Sequence, residues 1–282
     1  MISSKKITNT LKIIGLQLFF VVVCVMALIP VLYAFSVSIN SNNSLISSDF
    51  SFIPKEVTFD NYIAVFTEKP VFIWLKNSLI LAVSTVVIAL CISVPAAYAF
   101  SRMQFKGRDK LIKLLIMLNA FPALLSMFAM YKIMTPMGLI NSRIGLIIVY
   151  TGTMSIFDLM NMKGYFDTIP DEIEDAARID GANEFQVISK IVIPLAKPSV
   201  FVTAVMVLIY VWNEYIYAIT FMTGEENYTL AAGLYSLQAG EMSGRWPVFS
   251  AASLVISLPI LIIFLYVQKY MVSGLTAGGV KG

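Results

Sequence analysis

Residues 170–194 read PDEIEDAARIDGANEFQVISKIVIP. The stretch is polar where the chain on either side is apolar, and its residues order themselves into two short helices. Pro170 followed by Asp171, Glu172 and Glu174 marks a helix start, because proline suits the first turn and acids face the positive end of the helix dipole. Ile173, Ala176 and Ala177 then recur at i, i+3 and i+4, a face with two small side chains. Asp180-Gly181 stops that helix, since glycine after the last turn adopts the left-handed conformation without a steric penalty. Asn183 caps a second helix with Gln186 three positions on, and Phe185, Ile188 and Val192 line one of its faces until Pro194 ends it. From the residues alone this unit is either an amphipathic hairpin lying at a membrane surface or a docking element whose paired alanines let another backbone approach closely.

The rest of the chain says where the unit sits. Of 282 residues, 58% are apolar and 13% charged, against roughly 25% charged in soluble domains, and the mean hydropathy is +0.81. This is the composition of a membrane protein. Six runs meet or approach the roughly 20 residues that span a bilayer as a helix: 11–35, 72–100, 111–134, 144–162, 198–222 and 248–270. The first is longer than the roughly 7–15-residue core of a signal peptide, so an uncleaved span is expected. With the N-terminus inside, fourteen of the twenty Lys and Arg fall in inside segments and six outside, which favours two cytoplasmic termini. Residues 163–198 are then cytoplasmic, whereas 38–70 and 223–247 form outside loops. Tyr228, Tyr235 and Trp246 of the latter either join an interfacial aromatic belt or meet a partner.

Several function classes drop out. A net charge of +3 is too small to suggest nucleic acid, and the absence of histidine removes imidazole metal sites, His-based triads and near-neutral proton shuttles. Cys24 and Cys91 lie inside apolar runs, away from any disulfide or thiolate-metal pattern. Gly274 and Gly279 have the spacing of a phosphate-binding loop, but Lys281 comes one position late and no Ser or Thr follows it. No catalytic residue, metal ligand, cofactor or nucleotide site is expected, and the chain reads as no enzyme. Within the spans, Asn213 and Glu214 either line a hydrated cavity or hydrogen-bond a neighbouring helix. Asp158 reads as near enough to a cytoplasmic end to reach water, and Pro95 and Pro259 are expected to kink or end their helices.

The spacing in the polar unit is Asp175-Ala176-Ala177, three residues, Gly181, nine residues, then Ile191-Val192-Ile193-Pro194. It resembles the signature loop of ATP-binding-cassette (ABC) importer permeases: Glu-Ala-Ala, three residues, Gly, nine residues, Ile-x-Leu-Pro. Asp175 replaces the usual Glu and Ile193 the usual Leu, which keeps a carboxylate and an apolar side chain. Phe59-Asp60-Asn61-Tyr62, Asn77-Ser78, Pro95-Ala96-Ala97-Tyr98-Ala99 and Trp212-Asn213-Glu214-Tyr215 are similar to stretches of carbohydrate-importer permeases. The tail from Gly274 to Gly282 looks most like the smaller permease of maltose and maltodextrin transporters.

The resemblance implies an all-α membrane protein with six transmembrane helices, the type I ABC importer (MetI-like) permease fold with cytoplasmic coupling helices. Residues 1–70 would hold the N-terminal segment, first helix and first outside loop, 71–270 the core, and 271–282 a cytoplasmic tail. The implied function is sugar import across the bacterial plasma membrane, of maltose, maltodextrin or a related oligosaccharide. The implied partners are a second homologous permease, two ATPase subunits, an extracellular sugar-binding protein and the lipid bilayer, with ATP and Mg bound by the ATPases and no nucleic acid. Ala176, Ala177 and Gly181 would allow close contact with an ATPase, Asp175 and Asp180 would hold it by charged hydrogen bonds, and Glu174 and Ala182 would flank them. Gly278, Gly279 and Lys281 would reach between the ATPases. The alternative is an ion-coupled secondary sugar transporter, a class often marked by internal repeats and midplane acids; no repeat is found here, and one such acid.

Overall fold

The computed structural model describes residues 2–42, 54–239 and 244–279. In these residues the regular structure is helical, apart from an isolated antiparallel bridge between Asn40 and Val57. Four helices are long and apolar enough to cross a bilayer: α1 (Ile2–Ser38), α3 (Val71–Arg102), α6 (Arg143–Phe166) and α13 (Trp246–Gly279). Two bent pairs bring the number to six if each counts as one span. The first joins α4 (Arg108–Asn119) to α5 (Ala123–Met134) at 96°. The second joins Glu184–Leu195 to α10 (Lys197–Asn213) at 74°.

Two expectations about the spans are corrected. The third run, 111–134, is no single helix: it breaks ahead of Pro122, which lacks an N–H and disfavours helical backbone at Phe121. The fifth run, 198–222, is interrupted after Asn213, where Glu214 takes extended backbone (φ −73°, ψ 120°) before α11 (Ile216–Phe221) starts afresh. Pro95 and Pro259 end neither α3 nor α13, and α13 carries helix on past residue 270 into the expected tail.

The helices divide between two compact units. One holds Met1–Lys69 and Ser236–Val255. Here Asn61, in the first turn of α2 (Asp60–Glu68), donates its amide to the carbonyls of Ser38 (3.0 Å) and Asn40 (2.9 Å), and Tyr62 shares a hydrogen bond with Ser38 (2.7 Å). The Phe59–Tyr62 motif thereby ties α2 to the end of α1. Arg245 pairs with Glu68 at 2.7 Å in the same unit.

The other unit, Pro70–Tyr235 and Ile256–Gly282, is built on α3, α6 and α10. The buried face of α3 carries Ser78, Ala82, Thr85, Ala89, Ser93 and Ala97 at three- and four-residue spacing, small side chains that let helices pack closely. One core joins Leu81 and Ala89 of α3, Leu146 and Tyr150 of α6, Val207 and Val211 of α10 and Phe221 of α11. A second core, at the Arg102 end of α3, joins Ala97 and Tyr98 to Phe166, Ala177, Val187, Val192 and Ala196. The loop expected after the fifth span is partly ordered into a 3₁₀ turn (Glu225–Asn227) and α12 (Leu230–Ala239). Asp158 is fully buried within α6 and does not reach water, because its face of the helix is turned inward with Thr151, Met162 and Phe166.

Candidate functional site

The polar unit folds as local sequence dictates. Helix α7 (Asp171–Ile179) starts after Pro170 and ends in a closed turn: Gly181 N–H donates to the Arg178 carbonyl (3.1 Å) and Ala182 N–H to that of Ala177 (3.0 Å). This pair of bonds satisfies carbonyls left open at a helix end, and it requires the left-handed residue that Gly181 (φ +89°) supplies. Helix α8 (Glu184–Val187) opens with a reciprocal cap, in which Gln186 N–H donates to Asn183 Oδ1 and Asn183 N–H to Gln186 Oε1, both at 2.9 Å. A π turn (Ile188–Val192) carries the chain through α9 (Ile193–Leu195), so Pro194 lies inside this last short helix and the chain bends two residues later, at Ala196. Pro198 follows in the first turn of α10, where a proline gives up no hydrogen bond and suits the start of the new helix.

The faces are not those expected from spacing. On α7, Glu174 and Ala177 turn inward, leaving Ile173 and Ala176 on the open side. On α8, Val187 is buried and Phe185 is 78% exposed; across the turn Ile179 is 86% exposed. The reason is tertiary: the second core accepts only one edge of each helix, and an ion-pair network fixes which. Glu174, 1% exposed, accepts hydrogen bonds from Arg102 Nε (2.7 Å) and Tyr98 (3.0 Å). Arg102 also bonds the Ile169 carbonyl through Nη2 (2.7 Å) and pairs with Asp171 through Nη1 (2.9 Å). Arg178 bridges Asp175 (2.9 Å) and Glu184 (2.8 Å), one on each helix.

Its hydrogen bond to Glu184, and after it the one to Asp175, push the Arg178 guanidinium pKa above its ordinary value, and the same Glu184 bond holds that carboxyl below the usual range. Burial tends to raise Asp167, just past α6, but hydrogen bonds from Lys163 (2.6 Å) and Ser101 (2.6 Å) outweigh it and hold the carboxyl below its ordinary value.

The open side of the unit therefore presents Asp175, Ala176, Asp180 and Gly181 together with Ile179 and Phe185. Ala177 faces the core, Ala182 is half-buried against it, and Glu174 is internal. Ile179 and Phe185 escape a reading that looks for buried faces. Their signal is that Asp175, Ala176 and Ile179 share an edge at i, i+1 and i+4, opposite Glu174 and Ala177.

In the fifth run, Asn213 is exposed and donates to the Ile209 carbonyl (2.8 Å). Glu214 Oε1 accepts from Tyr217 N–H (2.8 Å), and Oε2 from Ala218 N–H (3.2 Å) and from Tyr150 of α6 (2.9 Å). It thus caps α11 and ties the break to a neighbouring helix. Gly278 and Gly279 close the helical part of α13, and Lys281 lies outside the described residues. Among the described residues no group of three Asp, Glu or Cys comes together to hold a metal ion.

The chain matches the model of the family described as binding-protein-dependent transport system inner membrane component over residues 78–276. It is 34% identical to the galactooligosaccharides transport system permease protein GanQ of Bacillus subtilis, over 100% of both chains. It is 32% identical to the maltodextrin transport system permease protein MdxG of the same organism, over 94% of this chain and 95% of that one. A chain of a bacterial ABC transporter involved in import of the acidic polysaccharide alginate superposes with a TM-score of 0.75 at 29% identity, covering 95% of this chain and 97% of its own. With the helical architecture above, these matches establish that the chain belongs to the binding-protein-dependent transport system inner membrane components and has the fold of an ABC importer permease.

Proposed function

We propose that the chain is the permease subunit through which a bacterial ABC importer moves an oligosaccharide across the plasma membrane, with the open edge of α7 and α8 as its seat on the ATPase. The observation that carries this reading is the apolar pair Ile179 and Phe185, exposed on either side of a turn whose opposite edge is clamped into the bundle. An exposed apolar pair on a held scaffold suits a partner cleft, and Asp175, Ala176, Asp180 and Gly181 supply its charged and close-contact rim. Both termini and this unit are cytoplasmic, as the distribution of Lys and Arg supports. The complex holds a second homologous permease, two ATPases that bind ATP and Mg, and an extracellular sugar-binding protein; this chain binds no cofactor. Residues Gly278, Gly279 and Lys281 add contacts to the ATPases.

The relatives' names support an oligosaccharide in general, and the tail's resemblance favours maltose or maltodextrin within that class. Competition by a panel of glucose, galactose and uronate oligosaccharides in uptake assays identifies the sugar.

Gly181→Val places a β-branched side chain where φ is +89°, a conformation such residues rarely adopt. Sugar uptake and binding-protein-stimulated ATPase of the reconstituted complex both fall sharply, while membrane insertion persists. Undiminished values for both overturn the reading, as does sugar accumulation by the isolated chain.

A further inference from the structure

Helix α3 is fastened at both ends by polar side chains to segments remote in sequence. At its C-terminal end, Arg102 and Tyr98 hold Glu174, and Arg102 also holds Asp171 and the Ile169 carbonyl, so that α7 is bound to α3 across 72 residues of sequence. At its N-terminal end, Trp74 Nε1 donates to the Glu225 carbonyl (2.7 Å), and Asn77 Nδ2 donates to those of Glu226 (2.9 Å) and Tyr228 (3.0 Å). Ser78 Oγ accepts from Leu230 N–H at 2.8 Å. The Trp74 ring lies against Gly233 so closely that a Cβ there would collide with it. The 225–233 segment is therefore attached to α3 through three side chains and one steric fit.

Between these attachments α3 is one helix of 32 residues, about 48 Å long at 1.5 Å per residue. Its buried stripe of small residues packs it along α6. A helix so packed moves as a body, because close-packed interiors shift between discrete arrangements rather than deform continuously.

We propose that α3 is the strut that ties the 225–233 segment to α7, with Arg102, Glu174 and Tyr98 as positioning residues at one end and Trp74 and Asn77 at the other. A displacement of α7 moves the 225–233 segment, and a protein bound at that segment is felt at α7. This rests on the reading of the chain as a binding-protein-dependent permease, and it adds the route by which the two sides communicate. The route is physical: side chains of α3 hold α7 at one end and the 225–233 segment at the other, and coupling between sites needs an element that both sites bias.

The test uses the full complex in vesicles, with binding protein and sugar supplied. Asn77→Ala and Trp74→Phe loosen one end; Tyr98→Phe removes only a hydroxyl at the other. Tyr98→Phe keeps the ring, Trp74→Phe keeps an aromatic side chain without the indole N–H, and a retained thermal midpoint certifies the fold of both. A fluorophore on Glu226→Cys, with Cys24 and Cys91 replaced by Ser, reports movement of the 225–233 segment on ATP addition. In the otherwise unsubstituted chain the signal changes with ATP. Each variant reduces that change and lowers stimulation of ATPase by binding protein about 5-fold or more, with basal ATPase kept. Tyr98→Phe with Asn77→Ala is no worse than the more affected single variant, since both interrupt one path. Variants that keep the full fluorescence response and full stimulation overturn the strut, as does a double variant whose losses multiply. Absence of stimulation by binding protein in the unsubstituted complex instead overturns the reading on which the strut rests, so the two failures are distinguishable.

Discussion

Glu174 and Asp158 are both fully buried carboxylates in the same unit, sixteen positions apart, and they are treated in opposite ways. Glu174 meets Arg102, Tyr98 and Arg178. Neither oxygen of Asp158 has a hydrogen-bond partner among the described residues. Glu214 lies between these extremes: its donors are two backbone amides and a phenol, with no cation. The difference follows from where cations can sit. At the end of a bundle, an arginine can bury its fork while its stem reaches the surface; inside an apolar run, a helix start supplies amides instead. Asp158 is mid-helix in α6, where every neighbouring amide is already committed to the helix.

The comparison can be broken by removing each acid in turn and following the thermal unfolding of the purified complex in detergent. Glu174→Ala has the largest effect, because it removes the internal partner of Arg102, which keeps the exposed Asp171 and the Ile169 carbonyl; the loss is about 3–5 kcal/mol, the range for removing one partner of a buried pair. Glu214→Ala comes next, leaving the amides of Tyr217 and Ala218 and the Tyr150 hydroxyl unpaired, at about 1–3 kcal/mol. Asp158→Asn has the smallest effect, within about 1 kcal/mol, since it loses no internal hydrogen bond. An Asp158→Asn effect as large as that of Glu174→Ala sinks the contrast, and a Glu214→Ala effect near zero means the break in the fifth run is held by packing alone.

Legibility in the sequence followed the distance between interacting residues. The turn at Gly181 and the cap at Asn183 and Gln186 depend on partners no more than five positions apart, and both were readable from residue types. The choice of buried edge on α7 was not, because it depends on Arg102, 72 positions from Glu174, whose charge in the sequence carries only a topological signal. Likewise Asn77 reads as part of a motif and Trp74 as one more apolar residue of the run 72–100, but their partners lie 149 and 151 positions away. The break at Pro122 was open to reading and was masked by the even hydrophobicity of 111–134. That at Glu214 depended on a cap completed from α6.

Composition and the length of the apolar runs determined a helical membrane protein, because a run of about 20 residues spans the bilayer as a helix and satisfies its backbone hydrogen bonds within itself. Local motifs determined the helix pair at 170–194 and its turn, because caps and glycine geometry act within a few residues. Only the tertiary structure decided which acid is internal, which apolar side chains are left exposed, and that α3 is fastened at both ends. Those outcomes depend on side chains brought together from distant parts of the chain, whose pairing energies no local pattern encodes.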